Sequence, residues 1–379
     1  MVRIPLLDVV AQNKALTHEI GLALQSVASS GRFILGEEVE RFERETARYL
    51  GVRHAVGVSC GSDALVAALS ALEIGPGDEV VTTPFSFFAT PEAVLRVGAI
   101  PRFVDVMADT LELDANQVEA AIGPRTRAIL AVELYGEPGR VDELAAIAER
   151  HGVALIEDGA QAFGARRLGK SVGSFGALGC FSFQPTKPLS AWGDAGLVVT
   201  SDDDLAARCR RLRVHGATGK HRHREVGGNY RLDALQAAVL NVKLPRLGGY
   251  LAARRVHAAA YSEALHGLPG LRVPPVLEGN ESSCSVYTLR ILNGRRDAVA
   301  MALHERGIDT AVHYPLPLYR QPALVERGLG LDEGALPVVE QACREVLSLP
   351  LYPELAVEDR ERVISALEGA LAAVATKSG

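Results

Sequence analysis

The sequence predicts a doubly wound α/β layer with a largely parallel sheet, followed by a small α+β domain. Two observations predict the layer. From about residue 50, short β-branched runs alternate with helical stretches, as they do when helices cover both faces of a parallel sheet. Runs such as AILAV (128–132) and VALI (153–156) are apolar without alternation, as strands buried on both faces should be. A change of texture after about residue 270 predicts the second domain.

The elements follow in order. AVGVS (55–59) reads as a strand, DALVAALSALEI as a helix and DEVVTT (78–83) as a strand, with a helix from Pro91 to Val97. RAILAVE (127–133), a helix over VDELAAIAERHG and the strand VALIED (153–158) continue the alternation, and CFSF and GLVVT close it. SDDDLAARCRRLRVHG opens with Ser201 and three acids, as a capped helix does. Two more helices, RLDALQAAVLNVKLPRL and LAARRVHAAAYSEALHGL, lead to the linker VPPV. Beyond it come the strand VYTLRIL (286–292), the helix AVAMALHERGI, TAVHYPLPLY as a strand into a Pro-rich loop, and a terminal helix VEDRERVISALEGALAAVAT. The expected division is 1–250, a large domain with an N-terminal arm, and 251–379, a small one.

Bulk numbers limit the function. The net charge of -6 over 379 residues argues against a chain built to coat nucleic acid or an anionic membrane. Five widely spaced cysteines with no CxxC pair fit reduced thiols, hence a cytoplasmic protein with no disulfide framework or zinc site. No apolar run suggests a signal peptide or a membrane span.

The chemistry concentrates in a few stretches. In FSFQPTKPLSAWGDAGLVVT (181–200), Pro185 and Pro188 bar regular structure around Lys187. In VALIEDGAQAFGA (153–165) an apolar strand ends on Glu157 and Asp158, and a carboxylate at that end of a parallel strand faces a ligand crevice. Glu157 reads as a surface acid or helix cap. A lysine and an aspartate at separate strand ends suit pyridoxal 5'-phosphate: the amine forms a Schiff base and the acid keeps the ring nitrogen protonated. SCGSDALVAAL (59–69) sets Gly61 and Ser62 at the start of an apolar helix, a ready phosphate site, although Ser62 or Asp63 could simply cap that helix. Ser182 could add a hydroxyl. Phe85, Phe87 and Phe88 offer a ring to cover the cofactor, with at least one of them expected in the core.

With RFILGEEVERFE, GPGDEVVTTPFSFFAT, VELYG, GGNYRLDALQAAVL, HYPLPLY and LSLPLYPEL added to these motifs, the chain resembles the DegT-type nucleotide-sugar aminotransferases over nearly its whole length. The resemblance implies the three-layer α/β/α pyridoxal phosphate transferase fold, type I. It implies Lys187 as the Schiff-base lysine, Asp158 facing the ring nitrogen, Gln161 near the phenolic oxygen, Phe87 stacked on the ring and Gly61, Ser62 and Ser182 on the phosphate. It further implies that Asn229 reaches the cofactor of a neighbouring subunit, which makes the protein a homodimer with shared active sites. The chain departs from the family at Glu133 and Tyr319, where histidine is usual, and at Ala195, where a second glycine is frequent.

The loop GKHRHREVGGN (219–229) carries His221, His223 and Arg224, which suit a substrate diphosphate or are merely a solvated charged loop. Its HxH lacks the companions of a metal site, so no metal is expected. His313 and Tyr314 are further substrate candidates, with Tyr319 and Arg32 weaker ones. The resulting expectation is amino transfer from L-glutamate, through pyridoxamine phosphate, to a keto-sugar nucleotide, 3-keto favoured over 4-keto. The alternatives are a cyclitol aminotransferase and a cofactor-binding regulatory protein without turnover. Trp192, the single tryptophan, has no assigned part.

Overall fold

The structure is a computed structural model that describes residues 3–376, without the side chains of the last two. Strands β1 (His54–Val58), β2 (Glu79–Thr82), β3 (Ile100–Phe103), β4 (Thr126–Val132) and β5 (Ala154–Asp158) are followed by a small hairpin, β6 (Arg166–Arg167) and β7 (Lys170–Ser171). Strands β8 (Leu178–Ser182) and β9 (Gly196–Thr200) complete a seven-stranded sheet of order β1-β9-β8-β5-β4-β2-β3. Only β9 runs against the other six.

Alternation along the strands builds three layers. Ala128 and Leu130 of β4 join the core formed with the helix Gly61–Ala71, while Ile129 and Ala131 join the opposite core with the helix Val141–His151. A third cluster gathers Phe163, Phe181 and Phe183 under the helices Glu37–Leu50 and Ala234–Lys243. Side chains of period two thus serve cores on both faces of one sheet.

The last part of the chain adds a hairpin, β10 (Ala217–Gly219) with β11 (Arg222–His223), and a three-stranded antiparallel sheet. That sheet is β12 (Leu271–Arg272), β14 (Tyr287–Ile291) and β15 (Val346–Leu349); the short β13 (Asn280–Glu281) instead pairs with β6. The helices Leu247–Leu265, Arg296–Glu305 and Val357–Thr376 pack on the small sheet. Ile4 bridges Ile308 and lies in the same core, so the chain start packs with its C-terminal part.

Several elements differ from expectation for identifiable reasons. Pro101 hides β3, yet β3 is an edge strand, where a missing N–H is tolerated. Asp202, not Ser201, caps the helix Asp203–Leu212 by accepting from the Leu205 amide at 2.9 Å, and Ser201 instead accepts from the Arg53 amide. The strand expected over 310–313 is a single bridge, Ala311 to Ser348. Among the described residues no helix is long and apolar enough to cross a membrane.

Glu157 is a correction as well. It is fully buried, and its carboxylate accepts from the amides of Gly173, Phe175 and Gly176 at 2.6–2.7 Å. It therefore ties the turn before β8 to β5. Removing it leaves three buried donors unpaired, so Glu157→Ala should lower the unfolding free energy by about 3 kcal/mol in urea denaturation.

Candidate functional site

The antiparallel direction of β9 creates the site's central loop. Ser182 at the end of β8 pairs with Gly196 at the start of β9, so residues 183–195 close on themselves at the carboxyl edge of the sheet. Prolines 185 and 188 keep the loop out of the ladder, and a turn closes where the Lys187 amide donates to the Gln184 carbonyl at 2.9 Å. Gln184 braces the turn by accepting from the Thr186 amide. Lys187 sits half-buried at its apex. Trp192 belongs to the support of this loop: its indole N–H donates to Asn13 and its amide to Gln236, each at 2.8 Å.

Asp158 ends β5 on the same edge. Its carboxylate accepts from Thr90 Oγ1 at 3.0 Å and from the Ala160 amide at 3.3 Å, and Thr90 in turn pairs with Ser86. Burial pushes this carboxyl up, against the pull of Thr90, Ala160 and Lys187. Burial also pushes the Lys187 amine below its ordinary value, and the Asp158 charge opposes that. Lysine and aspartate therefore lie within each other's field, as a nucleophilic amine and its counter-charge should.

A third strand end offers a helix start suited to an anion. The helix Gly61–Ala71 is capped by Cys60, whose Sγ accepts from the Asp63 amide at 3.4 Å. Ser62 and Asp63 are thus not the caps. Asp63 accepts from Ser59 and pairs with Arg96 instead. Gly61 and Ser62 occupy the first turn, where a helix has no preceding carbonyls for its N–H groups. A side chain at 61 would fill the cradle, since its Cβ would meet that of Ser182 at 2.8 Å.

The three phenylalanines separate clearly. Phe85 is in the core and Phe88 precedes the helix Ala89–Arg96, whereas Phe87 is 61% exposed, with its ring 6.4 Å from Tyr314. Tyr314 lies close enough to feel the Asp158 charge, which with burial pushes its hydroxyl up to about 12. Gln161 joins the group, its Nε2 3.4 Å from the Tyr314 hydroxyl. His313 lies within the field of Lys187, which with burial holds its imidazole below the ordinary value, and its Nδ1 is 2.9 Å from Ser348 Oγ.

Two contributors were not expected. Tyr135 adopts φ 61°, its amide donates to Gln161 Oε1 at 2.7 Å and its hydroxyl to the His313 carbonyl, so it fixes both neighbours. Thr90 orients Asp158, and its only signal is its place just beyond the phenylalanines. Six expected residues lie elsewhere. Tyr319 is fully buried against Phe103 with its hydroxyl on Glu340 at 2.9 Å, which removes it from the candidates. His221, His223 and Arg224 are exposed on the β10–β11 hairpin, and His223 contacts only the local His215 carbonyl. Arg32 and Asn229 are also exposed. A hollow of about 690 Å³ beside the small sheet does not include Lys187 or Asp158 in its lining.

The residues gathered here fit pyridoxal 5'-phosphate: an amine with a lowered proton affinity, an oriented carboxylate, a bare helix start and an exposed ring. No cluster of His, Cys, Asp and Glu suited to a metal ion occurs among the described residues. Comparison with known proteins agrees. The chain is 46% identical to a pleiotropic regulatory protein of Geobacillus stearothermophilus, covering 95% of this chain and 96% of the relative. It is 43% identical to a UDP-N-acetyl-3-dehydro-alpha-D-glucosamine 3-aminotransferase of Acidithiobacillus ferrooxidans, covering 97% and 98%. The crystal structure of Streptomyces venezuelae DesV in complex with a ketimine intermediate superposes with a TM-score of 0.95 at 43% identity, over 98% and 99% of the two chains. Residues 14–368 match the profile of one family, and the chain belongs to it: the DegT/DnrJ/EryC1/StrS aminotransferases.

Proposed function

We propose that this chain is a pyridoxal phosphate-dependent aminotransferase that moves an amino group from L-glutamate to the ketone of a nucleotide-linked sugar, at the 3-position. The observation that carries the reading is the convergence of the Lys187 amine and the Asp158 carboxylate at one sheet edge. When bound, the cofactor supplies an aldehyde that carries amines and a ring that takes up the electron pair left when a carbon loses its proton.

The chain's own residues supply the rest. Asp158, held by Thr90 and the Ala160 amide, is aimed to keep a proton on the ring nitrogen. Gly61, Ser62 and Ser182 hold the phosphate at a helix start. Phe87 covers the ring and Gln161, fixed by Tyr135, faces its phenolic oxygen. Lys187, with its proton affinity lowered, takes a proton from one carbon and delivers it to another. His313 and Tyr314 form the substrate side. The 3-position is supported by the similarity to a 3-aminotransferase of a UDP-sugar.

The protein acts as a cytoplasmic homodimer in this reading. Exposed Phe33, Ile34 and Val226 lie near exposed Asn229, because Ile34 bridges Asp233 and the Phe33 carbonyl accepts from Ala234. Burying this patch against a second copy would carry Asn229, and the basic hairpin with His221, His223 and Arg224, to the partner's site. We also propose the division near residue 250 between a cofactor-binding part and a substrate-covering part.

The similarity to a regulatory protein favours one rival, a binding module without turnover. L-glutamate decides between them: an enzyme shows a shift of the cofactor absorbance on its addition, and a binding module shows none. With 3-keto and 4-keto nucleotide sugars and a cyclitol ketone as acceptors, turnover should be confined to the 3-keto sugars. Lys187→Ala should lose at least ~10²-fold in kcat, and Asp158→Asn ~10²-fold with binding retained. A shared site also predicts complementation. Mixed and reassociated Lys187→Ala and Asn229→Ala subunits, each nearly inactive alone, should recover about a quarter of wild-type activity, since half the dimers then hold one intact site.

A further inference from the structure

Three carboxyl groups meet at the carboxyl ends of β4 and β5: Glu133, Glu157 and Asp158. Hydrogen-bond donors serve only two of them. Glu157 has the amides of Gly173, Phe175 and Gly176, and Asp158 has Thr90 and the Ala160 amide. Glu133 is 2% exposed, and neither of its oxygens has a hydrogen-bond partner among the described residues. Its own amide donates to the Asp158 carbonyl at 3.2 Å, so the side chain is anchored one residue from the β4–β5 pairing of Val132 with Asp158.

An ionised carboxylate with no donor, beside two others, is the least stable arrangement available to this cluster. The charged and titratable groups that act on it are Glu157 and Asp158 of β5, with Cys180 of β8 close enough to feel all three. None is a cation. We propose that Glu133 is a positioning residue that carries the proton of this cluster, so that Asp158 remains the anion directed at the cofactor. Burial and the two neighbouring carboxylates push the Glu133 carboxyl well above its ordinary 4.5, in agreement with this assignment. The inference rests on the reading of Asp158 as the partner of the ring nitrogen.

The sign of the pH dependence follows. A carboxyl whose native proton affinity is raised binds its proton more tightly folded than unfolded, so stability falls as pH rises from about 4.5 toward the native value. Glu133→Gln keeps the shape and the neutral charge and has no proton to lose. In cofactor-free protein, the unfolding constant of the wild type relative to Glu133→Gln should therefore rise with pH from about pH 5, by up to about tenfold per pH unit, and level off above the native value of Glu133. Titration of the same proteins with pyridoxal phosphate, followed by absorbance, should show affinity retained within about threefold in Glu133→Gln. Glu133→Ala, which removes the protonated neighbour of Asp158 and leaves its space unfilled, should lose about tenfold, equal to ~1.4 kcal/mol.

A ratio of unfolding constants that does not change with pH overturns the proposal, because Glu133 is then ionised in the native protein. So does loss of affinity in Glu133→Gln equal to that in Glu133→Ala, since an anion is then what the site requires. Failure of the wild type itself to bind pyridoxal phosphate would overturn the functional reading instead, and the stability comparison would still decide where the proton resides.

Discussion

The attraction between the Lys187 amine and the buried Asp158 carboxylate at one edge of the sheet is the constraint on which the candidate site depends. Lys187 and Asp158 come from different strands, so neither can be placed without the β5–β8 pairing, and Lys187 cannot stand at the edge unless β9 turns back on β8. Burial raises the energy of both charged forms, and each charge relieves that cost for the other. The pairing of β5 with β8 and the single reversed strand bring these two groups to the same edge of the sheet.

The N-terminal segment extends the same constraint to the small sheet. Ile4 lies in the core of the C-terminal part, while a few residues later Gln12 bonds Ser190 and Asn13 bonds Trp192, both on the lysine loop. Ser190 also accepts from the buried amine of Lys243, which burial brings down to about 8. One short stretch thus touches the part of the chain that carries His313 and Tyr314 and the loop that carries Lys187. Tyr135 does comparable work from the large sheet, where it holds Gln161 with its amide and the His313 carbonyl with its hydroxyl. The residues of the candidate site are thereby held in one frame.

Much of this was legible in the sequence because it is local. The unalternating runs over 128–132 and 153–156 fixed the buried parallel strands, and the two prolines around Lys187 marked the interrupted loop. Composition left three phenylalanines open and the resemblance singled out Phe87, which the structure leaves exposed while Phe85 lies in the core. What was not legible depends on contacts between distant residues. Thr90 reaches Asp158 across 68 positions and Tyr135 reaches His313 across 178, and no pattern along the chain reports such meetings. Tyr319 in a Pro-rich stretch reads as a substrate-side candidate, but the short turn Leu318–Arg320 inserts it between Phe103 and Glu340. Glu157 misled for a similar reason: its donors are the backbone amides of a turn that sequence alone does not locate.

The central claim is that Lys187 is the residue that bonds the cofactor. It is tested most directly by reducing the pyridoxal phosphate-loaded protein with borohydride and mapping the modified peptide by mass spectrometry. The account predicts one modified residue per chain, at Lys187, and no modification when the lysine is replaced by alanine. A label at Lys170, Lys243 or another lysine, or none in a protein that demonstrably binds the cofactor, would contradict it.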